Sequence, residues 1–310
     1  MIDGQLSLFE EGMPKEVIRN KRQTTVISAS RRTDIPAFYY TWLLETLEKG
    51  SITLPNPRFE NKYYEVELQP DKVHSIVLWS KNFKNLQKEP GYLKNYNLYF
   101  QYTINQYSNV LEPYVPDYGE TLQILDELLK CYKPEQFTIR FDPVIISLHG
   151  EKNPTLHRPE QARLLAFERL CRDLKTLGME KCRVTTSYLD LYGHMKHIIN
   201  DEAYGIISLT EERQVEFFKE MASISYKYGF SLYSCASLLL ERVEGIKQGH
   251  CIDGEQLMQF FGGRVKKSKD NGQRKDCGCT HSRDIGIYAK GQGGMKCYHG
   301  CKYCYVMGNL

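Results

Sequence analysis

Thr25-Val26-Ile27-Ser28-Ala29-Ser30-Arg31-Arg32-Thr33-Asp34-Ile35-Pro36 contains the unit from which the rest of the chain is built. Residues 25–29 are β-branched or small and have the make-up of a buried strand. Polar residues follow at its end, and Asp34 stands just ahead of Pro36, a capping side chain before a proline suited to a first helical turn. The spacing predicts a helix over 36–49. A strand that runs through a polar end into a helix is half of a parallel βαβ unit.

The pattern recurs down the chain. Apolar, β-branched runs predict further strands at 75–79, 98–104, 137–141, 183–187 and 231–235. Between them, Leu122, Leu125 and Leu129 form one helical stripe, Leu164, Phe167, Cys171 and Leu174 a second, and Val215, Phe218 and Ala222 a third. The expected fold is α/β, a partial (β/α)6 TIM-like barrel over 21–240. An exposed tail over 1–20 precedes it, and a cysteine-rich iron-sulfur segment over 241–310 follows. Residues 50–70, with Pro55-Asn56-Pro57 and no helical face, are expected to form a loop near the barrel mouth.

Chemistry in such barrels sits where strands end at the C-terminal face. Five successive predicted strands run into Ser30 to Asp34, Ser80-Lys81-Asn82, Thr103-Ile104-Asn105, Arg140-Phe141-Asp142-Pro143 and Thr186-Ser187-Tyr188. Each has a structural explanation: Asp34 as a helix cap, Asp142 as the turn before a proline, Lys81 as a solvated charge. Together they point to a polar pocket in which Arg31, Arg32, Lys81 and Arg140 face a carboxylate or phosphate and Asp34, Asn82 and Asp142 complete the wall. No general acid or base stands out.

Ten cysteines are many for a chain without the look of a disulfide scaffold. Cys297, Cys301 and Cys304, in Cys297-Tyr298-His299-Gly300-Cys301-Lys302-Tyr303-Cys304, suit an open metal site. A 4Fe-4S cube normally takes four thiolates. Three leave one iron free for a ligand such as the amino and carboxylate groups of S-adenosylmethionine. Gly300 would let the backbone turn tightly, and Tyr303 could stack on an adenine ring. The alternative is structural zinc, with Cys301 and Cys304 as one pair and His299 and Cys297 as awkward further ligands. Cys235, Cys251, Cys277 and Cys279 could complete a second, fully ligated 4Fe-4S cluster, or hold zinc at the same four ligands. Cys131, Cys171 and Cys182 read as small core residues.

The triad with Tyr305, Gln273-Arg274, Cys277-Gly278-Cys279, Ser282 to Tyr288, Arg140 to Pro143 and Trp79 to Asn82 together resemble the radical SAM superfamily. Within it, the chain resembles a bacterial family with the cysteine triad at the C-terminal end, related to DNA photolyase-like (spore photoproduct lyase-like) proteins. The triad's late position departs from the superfamily pattern, and 289–296 is longer than the usual link. The resemblance implies a TIM-like barrel and an electron donor of flavodoxin or ferredoxin type. It also implies that the reduced cluster cleaves S-adenosylmethionine to a 5′-deoxyadenosyl radical, which takes hydrogen from a substrate.

Gln5, Leu6, Leu8 and Phe9, in Gln5-Leu6-Ser7-Leu8-Phe9, resemble the pentapeptide by which polymerases and repair proteins dock on the DNA sliding clamp, where a few anchors carry the interface. The alternative is a tail covering the barrel edge. The run 264–275 holds six positive charges against one negative and suits a phosphate-binding or a solvated loop. A net charge of +3 does not by itself argue for a polyanion. These features favour a nucleic-acid base or nucleotide as substrate, in DNA repair or modification. The competing readings are a small metabolite, a zinc-stabilised DNA-binding module without catalysis, and an electron-relay protein. No signal-peptide core and no bilayer-length apolar run is present, so a cytoplasmic, non-membrane protein is expected.

Overall fold

A computed structural model describes residues 17–19, 24–56, 59, 61–87, 92–151, 158–190, 196–270, 273–274, 276–289, 293–304 and 306. The clamp-like residues Gln5, Leu6, Leu8 and Phe9 lie outside the described residues, as does most of the 1–20 tail.

Along the chain stand β1 (Val17–Arg19), β2 (Thr25–Ala29), α1 (Ile35–Phe38), α2 (Tyr40–Lys49), β3 (Ser51–Pro55), β4 (Tyr63–Glu67), β5 (Val73–Ser80) and β6 (Leu98–Thr103). Then come α3 (Tyr118–Leu129), β7 (Phe137–Val144), α4 (Pro159–Thr176), β8 (Arg183–Tyr188), α5 (His197–Asn200), α6 (Glu211–Lys227), β9 (Leu232–Ser234), β10 (Ile246–Gln248), α7 (Gly254–Phe261) and β11 (Ser282–Asp284). Eight strands form one parallel sheet in the order β10-β9-β8-β7-β6-β5-β2-β11. All six predicted strands lie in it. The seventh and eighth, β10 and β11, come from the cysteine-rich segment and form its two edges. The sheet is open: no pairing joins β10 to β11 among the described residues.

Alternation along the strands gives the sheet two apolar faces. Ile27, Leu78, Phe100, Ile139 and Val184 join the main core with Leu43 of α2, Leu125 of α3, Phe167 of α4 and Phe218 of α6. Their neighbours Val26, Val77 and Tyr99 face the other way, into a smaller core built from Leu257 of α7, Ile252, Val265, Cys277 and Cys279. The three predicted helical stripes therefore pack on one face, and the cysteine-rich segment fills the other.

Three expectations are corrected. The helix over 36–49 is broken at Tyr39, which caps α1 and starts α2. Residues 50–70 carry strands: β3 pairs antiparallel with β4, and β4 parallel with β1, in a separate three-stranded sheet. Cys171 and Cys182 are core residues as expected, but Cys131, just past α3, is exposed.

Candidate functional site

Cys297, Cys301 and Cys304 lie on the loop after β11, against the C-terminal ends of β2, β5 and β6. Backbone bonds hold it there, from Lys302 N–H to the Leu111 carbonyl at 3.0 Å and from Tyr114 N–H to the His299 carbonyl at 3.2 Å. Gly300 has φ +67°, the left-handed region the tight turn requires, and a Cβ there would meet Tyr114 and Pro113 at 3.1 and 3.2 Å. Burial pushes the Cys297 thiol up to about 12, and the Asp34 carboxylate adds to the effect. Burial also raises Cys301, against the opposing pull of Lys81.

Asp34 joins four parts of the site. It accepts from Ala37 N–H at 2.9 Å, capping α1, and from Ser80 Oγ at 2.9 Å and Lys81 N–H at 3.0 Å at the end of β5. Its fourth partner is His299 Nε2 at 2.8 Å, from within the triad loop. The other ring nitrogen of His299 faces the Tyr114 carbonyl at 3.3 Å. Both ring nitrogens therefore lie against oxygens of the chain, and the tautomer decides which of them carries the proton. His299, considered from sequence as a further ligand, is engaged elsewhere.

Beside Cys301 and Cys304 lies a buried polar group. Lys81 Nζ is 2.6 Å from Glu112 and 3.0 Å from the Tyr303 hydroxyl. That hydroxyl also donates to Glu112, and it accepts from Asn105 Nδ2 at 2.9 Å. Burial alone would push the Lys81 ammonium down, but Glu112 outweighs it and the pKa is raised. Burial likewise opposes the charge on Glu112, and Lys81 holds its carboxyl below the usual range. Tyr303, expected to offer a face to an adenine ring, is only 7 % exposed, and its ring meets Tyr107 edge-on at 5.7 Å. Its position in the sequence signalled aromaticity, and the buried carboxylate claimed its hydroxyl.

The other predicted cations are also paired within the chain. Arg31 bonds Asp270 at 2.8 Å and Ser282 at 3.0 Å, and its N–H reaches Asp284 at 2.8 Å. Arg32 donates to the Gly286 carbonyl at 2.8 Å and lies over the Tyr288 ring. Arg140 pairs with Asp142, lies over Trp79 at 5.3 Å, and points a guanidinium nitrogen at Cys251 Sγ, 3.5 Å away. Asp142 in turn accepts from Ser187. Asn82 shapes a turn, its side-chain oxygen accepting from Lys84 N–H at 3.0 Å.

The four remaining predicted ligands converge. Sγ atoms of Cys235, Cys277 and Cys279 all lie within 4.8 Å of one another, a group able to hold a metal ion or iron-sulfur cluster. Cys251 joins them through contacts with Cys235 and Cys279. Cys277 is pulled down to about 2 by the thiols of Cys235 and Cys279. Cys251 falls through the same two neighbours and, against the push of burial, through Arg140. The triad forms no comparable tight group among the described residues.

Four residues of the site escaped the candidate set. Glu112 lies outside any strand end, and Asn105 read as one polar end among five. Asp284 accepts from Ser28 at 2.8 Å, Ser30 at 2.5 Å and Gly286 N–H at 3.0 Å, and binds β11 to β2. Arg163, fully buried on α4, reaches Glu151 at 3.1 Å and the Asn105 carbonyl from between the rings of Tyr107 and Phe141. An arginine on a helical stripe carries no sequence mark of burial.

The chain belongs to the family described as Domain of unknown function (DUF1848), which matches residues 26–306. No curated protein matches the sequence. No helix among the described residues is long and apolar enough to cross a membrane.

Proposed function

We propose that this member of the family is a radical SAM enzyme whose reactive 4Fe-4S cluster is held by Cys297, Cys301 and Cys304. The observation that carries the reading is the engagement of His299. With both ring nitrogens set against oxygens of the chain, His299 is already engaged, and the triad stands as three thiolates, one short of what closed zinc or a relay cluster would need. The nearby carboxylates are occupied too, Asp34 by four donors and Glu112 by Lys81, Tyr303 and Asn105.

When bound and reduced, such a cluster would supply the electron that cleaves S-adenosylmethionine to a 5′-deoxyadenosyl radical. The chain's own residues prepare the place. Lys81 sets a buried positive charge beside Cys301 and Cys304, offsetting the charge of clustered thiolates. Asp34 and His299 fix the loop's approach, and Gly300 gives it the turn.

The open parallel sheet is read here as a partial barrel, with the triad at its C-terminal mouth. A nucleic-acid base or nucleotide is the favoured substrate class, supported by the clamp-like peptide and the basic run 264–275. In that run Lys267 is drawn to Glu255 and Arg274 to Asp190. A cytoplasmic protein served by a flavodoxin or ferredoxin fits the reductive chemistry. A second 4Fe-4S cluster at Cys235, Cys251, Cys277 and Cys279 suits the donor set, but the closeness of the Cys235, Cys277 and Cys279 sulfurs favours a smaller guest.

The test is electron paramagnetic resonance of the anaerobically purified, dithionite-reduced protein with and without S-adenosylmethionine. The spectrum is expected to shift on addition, and C301A to lose both signal and reductive cleavage. An unchanged spectrum, or full cleavage by C301A, would sink the assignment. Clamp docking is tested separately: the unmutated protein should bind a bacterial sliding clamp and the L8A/F9A variant should not.

A further inference from the structure

The four-cysteine group has a position in the fold that its ligand count does not reveal. Cys235 follows β9 directly and Cys251 comes just after β10, at one edge of the sheet. Cys277 and Cys279 come just before β11, at the other. The two edges share no strand pairing among the described residues, yet the sulfurs from the two sides lie within 4.8 Å of one another.

The segment between crosses the inner face of the sheet. Gln101 of β6 donates to the Cys251 carbonyl at 2.6 Å, and Gln256 of α7 to the Tyr99 hydroxyl at 2.8 Å. Past α7, the Gly262 carbonyl meets His74 at 2.8 Å. Among the described residues, two direct hydrogen bonds also link the flanks of the edges, from Thr280 N–H to the Ile252 carbonyl at 2.9 Å and from Gly254 N–H to Thr280 Oγ1 at 2.8 Å. The turn is shaped for the group: a Cβ on Gly278 would run into the His250 ring.

We propose that Cys235, Cys251, Cys277 and Cys279 hold one tetrahedral zinc ion, which clasps the two open edges of the sheet together. The spacing discriminates between guests. The Sγ atoms of Cys235, Cys277 and Cys279, within 4.8 Å of one another, suit the roughly 3.8 Å edge of a tetrahedron around one ion better than the wider frame of a cube, and Cys251 stands in contact with two of the three. Four thiolates with no open position make a closed, structural site. The ion does for the edges what hydrogen bonds do in a closed barrel. Its binding energy is folding energy, because the unfolded chain offers no such site. The clasp also bears on the site proposed above, since Arg140 touches both Cys251 and Asp142 and so links the group to the strand ends.

The experiment is metal analysis of the full-length, anaerobically purified protein together with amide hydrogen exchange. One zinc and about four iron per chain are expected if the triad holds a cube. About eight iron without zinc, or about five iron without zinc, overturns the proposal. One zinc without iron would support the clasp and count against the radical reading, so the two fail separately. C279S is expected to lose zinc, keep iron, and exchange amides of β10 and β11 at least about tenfold faster, with β6 and β7 unchanged. Should C279S not fold, titrating zinc out of the unmutated protein with a mercurial thiol reagent reads the same exchange. Unchanged protection of β10 and β11 after zinc release overturns the clasp.

Discussion

Replacing Asp34 by alanine tests the joint that holds the triad loop. Four donors lose their acceptor at once: the α1 cap at Ala37, Ser80 Oγ, Lys81 N–H and His299 Nε2. Loss of a capping aspartate costs about 1 kcal/mol. Each of the other three, left without its partner in a buried place, adds about 1 kcal/mol or somewhat more. The sum is about 4 kcal/mol, a large share of a typical folding free energy. At about 2 °C per kcal/mol for a chain of this size, the midpoint should fall by about 8 °C. Thermal unfolding followed by circular dichroism measures it, with D34A, H299A and the double variant forming a cycle. Asp34 and His299 should couple by about 1 kcal/mol or more, the second substitution costing less once the first is made. A drop under about 0.5 kcal/mol for D34A, or strict additivity, would refute the claim that this carboxylate ties the loop to the strand ends.

Three further outcomes are expected. Glu112, with its folded pKa depressed, contributes stability that is present above its unfolded value near 4.3 and lost as pH falls through the lower folded value. E112Q should therefore flatten the loss of stability below about pH 4 in urea unfolding, while costing about 3 kcal/mol at pH 7 by stranding Lys81. Lys81, whose pKa is raised, contributes stability that is complete below its unfolded value near 10.4 and lost as pH climbs through the folded one, so K81M should flatten the alkaline limb instead. R163M should lose about 3 kcal/mol by leaving Glu151 without its buried partner, and R163K should not restore it, because an ammonium cannot stack between Tyr107 and Phe141 as a guanidinium does; denaturant midpoints read both.

The fold was legible where periodicity carried it. Strands 25–29 and 75–79 carry buried apolar residues on both sides, Val26 and Val77 opposite Ile27 and Leu78, because the sheet is covered on both faces, and the stripe through Phe167, Cys171 and Leu174 faces the core because 3.6-residue spacing leaves it no other choice. β10 and β11 were missed because each is three residues long, too short for any period to register. The sheet over 50–70 was hidden by its prolines, one of which ends β3. At the site, residue types were readable and pairings were not. The four-cysteine group is separated in sequence by up to 44 positions, from 235 to 279, and the segment that crosses the sheet between β10 and β11 brings its members together. Burial of Glu112 beside Lys81 is equally a fact of three dimensions.

Under the proposed function, pairing among the charges at these strand ends limits how a substrate would be recognised. Arg31, Arg32, Lys81 and Arg140 are each committed to an oxygen of the chain itself. An anion arriving there must compete with bonds already made in a buried setting, where breaking one partner strands the other. The same commitments form a continuous line between the two cysteine groups. It runs from Cys251 through Arg140 to Asp142, whose backbone N–H and carbonyl bond the Asn105 amide at 2.7 and 3.0 Å, and on through Tyr303 to Lys81 beside Cys301. The links join the segment after β10 to β7, β7 to the stretch after β6, and that stretch through Tyr303 to the end of β5. The cations at this face therefore serve first to hold β5, β6, β7 and the two cysteine-bearing segments in one geometry. Under the proposed function, recognition of a substrate would fall to groups that this line leaves exposed.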